Sequence, residues 1–129
     1  VNPLELLLVS LGGGVGAALR SWLDGVVKSS VRGTALGRFP LGTLVINVTG
    51  SLVLGFLTGL GETGSLGPSV VAVLATGMMG GYTTFSTASV ETVQLLRTGK
   101  TRLAVLYGLG MLVVSVGAAA LGLYTGRNT

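Results

Sequence analysis

The chain has 129 residues, of which eight are Lys or Arg and four are Asp or Glu, while 49% are hydrophobic and the mean hydropathy is +0.81. An ordinary soluble domain is roughly 25% charged, and a small one needs polar cover because its surface is large for its volume; 9% charged residues cannot supply that cover. The same apolar excess excludes a disordered chain, and the lack of Cys and His excludes disulfides, imidazole catalysis and the usual zinc sites.

The charges divide the chain into membrane spans. Residues 39–61, 63–90 and 103–126 form uncharged runs of 23, 28 and 24 residues, and a helix needs about 20 to cross a bilayer core. A further span starts at Leu4 and runs to about Val27, with Arg20 and Asp24 near its end. The predicted fold is an all-α integral membrane protein, a single domain over 1–129 with spans near 4–27, 41–61, 68–96 and 103–125. Runs such as 52–57 and 109–114 do not alternate, as barrel strands would. Glu5 stands where a signal peptide would carry a basic residue.

In the first span, Arg20 is placed to snorkel toward the surface on that side or to pair with Asp24 four residues on. The loop after it carries Lys28, Arg32 and Arg38, and the loop after the third span carries Arg97, Lys100 and Arg102. The opposite side has Arg127 as its only basic residue. A bias of six to one puts both basic loops in the cytoplasm and both termini outside, and accounts for the net charge of +4 without a nucleic-acid partner.

Small-xxx-small spacings occur at Gly12/Gly16, Gly77/Gly81 and Ala118/Gly122. They predict close helix packing, extending to subunit contacts. In the second span Thr43, Asn47 and Ser51 recur on one helical face, and Asn47 either bridges helices or faces a pore. The third span holds Gly80-Gly81 followed by Thr83, Thr84, Ser86, Thr87 and Ser89. So many poor helix formers predict a break near the membrane midplane, centred on the glycines and threonines, of the kind whose free backbone groups bind ions. Glu91, near the cytoplasmic end of this span, is expected to reach water. In the last span Tyr107, Met111 and Ser115 share a face. There the tyrosine is either interfacial or pore-lining, and the serine either bonds back to its own helix or faces the pore.

Taken together, these residues resemble the small bacterial fluoride-channel family, also known as camphor-resistance proteins, across essentially the whole chain. The first-span motif is matched by Gly16-Ala17-Ala18-Leu19-Arg20, the second by residues 42–50 around Asn47, and the third by Gly80-Gly81-Tyr82-Thr83-Thr84-Phe85-Ser86-Thr87. The resemblance implies antiparallel dimers in the bacterial plasma membrane, with paired pores and a central structural sodium ion held by the Gly80 and Thr83 carbonyls. It implies a fluoride pore along Asn47, Thr84, Phe85, Ser86, Thr87, Tyr107 and Ser115, with Asn47 donating its amide and Phe85 its positive ring edge. Passive fluoride efflux and fluoride resistance would follow, with membrane lipid as surroundings.

Two positions depart from the family pattern: Ala88 replaces a second Phe and Met111 a hydroxyl residue. Many family members also show little loop-charge bias and insert both ways, unlike this chain. One fixed orientation implies a heterodimer with an oppositely oriented paralogue rather than a homodimer, in which one pore could decay. The alternatives are a non-conducting structural subunit of such a pair, or a small multidrug-type transporter, which would want a membrane-embedded Glu that Glu5 does not supply. An enzyme is not expected, because the four acids are not suitably paired.

Overall fold

The computed structural model describes residues 2–34 and 39–129, so Arg38 of the first basic loop lies outside the described residues. Those residues form helices and turns, with no strand among them. Helix α1 spans Pro3–Val31, started by Asn2, whose Oδ1 accepts from the Glu5 N–H at 2.7 Å, and by Pro3 in the first turn. Its 29 residues rise about 43 Å, more than a bilayer core needs, and Lys28 lies in its last turn. Helix α2 spans Leu41–Glu62.

The third span comes in two halves. The first is α3 (Pro68–Val71), a π-helical stretch Ala72–Met79 and one α-turn, α4 (Gly80–Tyr82). Thr83 and Thr84 are then extended, and α5 (Phe85–Arg97) restarts the helix. Helix α6 spans Thr101–Arg127. Helices α1, α2 and α6 are each long and apolar enough to cross a membrane, and the broken element stands between α2 and α6 as the fourth member of the bundle.

The break lies two to three residues past the predicted glycine pair. Gly80 and Gly81 are helical, and Gly81 is there for packing: a methyl group on it would overlap the Gly13 carbonyl. The chain leaves the helix only where the Thr84 peptide finds another partner, as described below.

Two glycine seams assemble the bundle. In the first, α1 lies against residues 68–82, and both predicted pairs meet there. A Cβ at Gly12 would come 2.9 Å from the Val73 carbonyl oxygen, one at Gly16 would overlap that of Met78, and one at Gly77 would sit 2.7 Å from that of Val9. In the second, α2 runs along α6, with Gly55 facing Ala119, Gly59 facing Leu123 and Arg127, and Gly122 facing Leu52 and Phe56. Of the third predicted pair, Gly122 lies in this seam. Helices in lipid lack a hydrophobic drive to associate, and backbone approach supplies the van der Waals contact in its place.

Large apolar side chains point outward, among them Leu6, Trp22, Val113 and Leu121, which suits a lipid-facing surface. Among the described residues Arg20 makes no ion pair; Asp24 reaches forward to Lys28 at 2.8 Å instead of back to Arg20. At the other end Arg127 pairs with Glu62, joining the ends of α6 and α2. Both of those side chains are about half exposed, so the pair stabilises the fold little. Glu62→Gln is expected to leave the thermal midpoint of the purified protein unchanged.

Candidate functional site

The helix break, α2 and α6 enclose a groove of about 430 Å³. Helix α2 contributes Asn47 and Ser51; the break and α5 contribute Thr83, Thr84, Phe85, Ala88 and Thr92; α6 contributes Tyr107, Met111 and Ser115. No Lys, Arg, Asp or Glu lines it, so its polarity comes from neutral hydroxyl, amide and peptide groups.

Asn47, on the buried face of α2, binds the break. Its Oδ1 accepts from the Thr84 N–H at 2.8 Å and its Nδ2 donates to the Thr84 carbonyl at 2.7 Å. Nδ2 also donates to Met111 Sδ at 3.2 Å. The Thr84 N–H therefore does not serve Gly80, four residues back. The Thr84 hydroxyl caps α5 by accepting from the Thr87 N–H at 3.2 Å, which leaves the Thr83 carbonyl outside the helical ladder as well. The freed carbonyls are those of Gly80 and Thr83, two hard oxygens of the type that suits an alkali cation.

Tyr107 is 2% exposed, with Phe39 packed edge-on at 5.3 Å between ring centres. Its hydroxyl approaches that of Thr43 but, like the Ser115 hydroxyl, is buried without a hydrogen bond of normal geometry among the described residues. Ser115 is unusual in this respect. A serine or threonine within a helix commonly bonds back to the preceding turn, as Ser10, Thr49, Thr58, Ser89 and Thr92 do here. A stranded buried hydroxyl costs free energy unless something else satisfies it, so both hydroxyls are suited to a ligand or water in the groove.

The structure brings Asn47, Thr83, Thr84, Phe85, Tyr107 and Ser115 to one groove. The Phe85 ring is 75% exposed and projects from its rim. Ser86 and Thr87 are exposed on the first turn of α5, outside the lining, with Ser86 Oγ 3.3 Å from Thr84 Oγ1. Gly80 lies on the preceding turn, and Arg20 is also apart from the groove.

Glu91 does not simply reach water: it accepts the hydroxyl of buried Thr43. That contact, which the sequence did not announce, stands beside a second cavity of about 700 Å³ lined by Lys28, Arg32, Lys100 and Glu91. Thr43 is three helical positions past Pro40 and one turn before Asn47 on the same face, so the face periodicity found its place but not its partner. Asp24 also packs here: its Oδ1 lies against Gly42 in the first turn of α2, where a carboxylate is favoured by the helix dipole.

A four-span membrane bundle whose broken helix and unpaired hydroxyls face one neutral groove is the arrangement of a transport protein. The chain belongs to the family of CrcB-like proteins, Camphor Resistance (CrcB), which it matches over residues 7–123. It is 50% identical over 126 residues to a protein named fluoride-specific ion channel FluC 1 of Leifsonia xyli subsp. xyli, an alignment covering 98% of this chain and 89% of that one. It is 41% identical to the fluoride-specific ion channel FluC of Nitratidesulfovibrio vulgaris, covering 95% of this chain and 97% of that one. It is also 38% identical to fluoride-specific ion channel FluC 2 of Brucella abortus biovar 1, covering 95% and 94%.

Proposed function

We propose that this chain is a subunit of a fluoride channel that carries fluoride passively out of the cytoplasm and so confers fluoride resistance. The observation that carries this reading is the pair of buried, unpartnered hydroxyls on Tyr107 and Ser115 in a groove without fixed charge, in a chain whose relatives bear the name of fluoride channels. Fluoride is small and accepts hydrogen bonds strongly, and neutral donors attract it without holding it as a buried Lys or Arg would. Thr84 lies along the same path, with Ser86 and Thr87 at its outer edge. The exposed Phe85 ring offers its positive edge to an anion at the rim.

The subunit works as an antiparallel dimer in the bacterial plasma membrane, basic loops in the cytoplasm and termini outside. Six basic residues on one side against Arg127 on the other support a single orientation, and Arg127 is itself offset by Glu62. A subunit with one orientation needs an inverted paralogue to complete such a dimer. The Gly80 and Thr83 carbonyls would hold a structural sodium ion; what supports this is that the bonds of Asn47 and Thr84 release both oxygens from the helix.

The test is fluoride-electrode recording of efflux from liposomes holding the purified chain alone or with an inverted paralogue. Efflux is expected from the pair only. Robust efflux from the chain alone overturns the heterodimer, and silence from both overturns the channel. A non-conducting structural subunit is the second reading, favoured by Met111 occupying a place between the two free hydroxyls; in that case Phe85→Ala in this chain leaves the efflux of the pair unchanged.

A further inference from the structure

Asn47 is nine-tenths buried, and every hydrogen-bonding group of its amide except one acceptor lone pair is engaged. One N–H goes to the Thr84 carbonyl, the other to Met111 Sδ, and the oxygen takes the Thr84 N–H. The side chain thus pairs with both peptide groups of a single residue, replacing the helical bonds lost at the break. One turn further along α2, a methyl group on Gly50 would collide with the Thr83 side chain and come 3.0 Å from the Tyr82 ring. Helix α2 therefore presses on the break at two successive levels: Asn47 holds both peptide groups of Thr84, and Thr49 Oγ1 lies 3.0 Å from the Tyr82 hydroxyl.

The second N–H has a different partner. A thioether is a weak acceptor, and Met111 is 7% exposed, one helical turn from Tyr107 and one from Ser115. The residue stands between Tyr107 and Ser115 along α6, and its sulfur covers the one amide hydrogen that the break does not use.

We propose that Asn47 is a positioning residue, the clamp that holds the helix break through Thr84, and that Met111 withholds its remaining N–H from an anion in the groove. The clamp acts on the backbone and needs no fluoride. The withholding rests on the fluoride reading above. In this arrangement the anion is met by Tyr107 and Ser115 on either side of a sulfur that interrupts the track.

The two halves are tested separately in the assembled channel. Amide hydrogen exchange at Thr84 is expected to speed up by about tenfold or more in Asn47→Leu, because a buried hydrogen bond is lost, while Met111→Leu leaves it unchanged. Unaltered Thr84 exchange in Asn47→Leu overturns the clamp. If Asn47→Leu fails to assemble, Asn47→Ala serves instead: it too removes the acceptor of the Thr84 N–H, and unaltered exchange there overturns the clamp equally. For the second half, the Asn47 side-chain amide resonance is followed as fluoride is added. It is expected to stay fixed in the wild type and to move saturably in Met111→Ser, with efflux rising about tenfold, the scale of one hydrogen bond to a charged group. A saturable shift in the wild type overturns the withholding, as does a serine variant that conducts no faster. Silence of wild type and variant alike overturns the fluoride reading along with it, while the Thr84 exchange result stands.

Discussion

Gly16→Ala is expected to abolish the folded protein, while Gly117→Ala leaves it intact. At Gly16 an added methyl group would overlap the Met78 carbonyl oxygen and come 2.8 Å from the Tyr82 nitrogen. Both atoms belong to backbone held in helix, so no side chain can rotate away. Overpacking a core typically costs about 1–3 kcal/mol, set against a total stability of roughly 5–15 kcal/mol. Here the relief needs α1 to move off residues 68–82, which would open Gly12, Gly77 and Gly81 at once. Gly117 has open space at its Cβ, and alanine is the better helix former by about 1 kcal/mol. Size-exclusion profiles and thermal midpoints in detergent decide the matter. A monodisperse, thermally normal Gly16→Ala protein would show that α1 does not pack on the broken helix as described.

The second large effect concerns transport without stability. Tyr107→Phe is expected to cut fluoride efflux from the reconstituted pair by about tenfold or more, the scale of one hydrogen bond to an ion, with no loss of thermal midpoint. The reason for the separation is that the Tyr107 hydroxyl makes no hydrogen bond of normal geometry among the described residues, and its neighbour Thr43 is already held by Glu91, so deleting it costs the fold little. The ring, which packs edge-on against Phe39, is retained. Ser115→Ala follows the same logic. Efflux at the wild-type rate in both variants would remove the hydroxyls from the conduction path. A lowered midpoint would instead mean that the hydroxyl satisfies a group within the protein.

Much of this architecture was legible in the order of residues. Charge gaps of bilayer length marked α2, the broken third span and α6, because a charge at membrane depth is costly and its absence is therefore informative, while α1 reads as a span in spite of Arg20 and Asp24. The small-residue spacings at Gly12/Gly16 and Gly77/Gly81 identified the first seam, although the two pairs turned out to face each other within one chain. The disrupted third span announced a break. Its exact site did not follow from local propensity, because the choice of Thr83–Thr84 over the glycines is made by Asn47, 37 residues earlier in the chain. The π-helical stretch Ala72–Met79 had no signal in its own apolar residues. Asp24 likewise had two partners at helical spacing, Arg20 and Lys28, and spacing alone could not choose between them. The groove was legible as a set of polar faces on α2 and α6, and the resemblance added Phe85. What no pattern revealed was which hydroxyls were already satisfied: Ser89 and Ser115 look alike in sequence, yet one is bonded to its own helix and the other is free.

The two cavities differ in kind, and that difference bears on how the protein would respond to its surroundings. The larger is bordered by Lys28, Arg32, Lys100 and Glu91, the smaller by groups with no net charge. Attraction by exposed lysines and arginines decays within about 8 Å at physiological ionic strength, whereas a hydrogen bond made at contact in a buried groove is nearly blind to dissolved salt. Raising the salt concentration should therefore weaken the attraction of anions to the larger cavity without altering the hydrogen bonds that the smaller one offers. Ionic strength would then adjust how often anions gather at one cavity, while what the other cavity can bind stays constant.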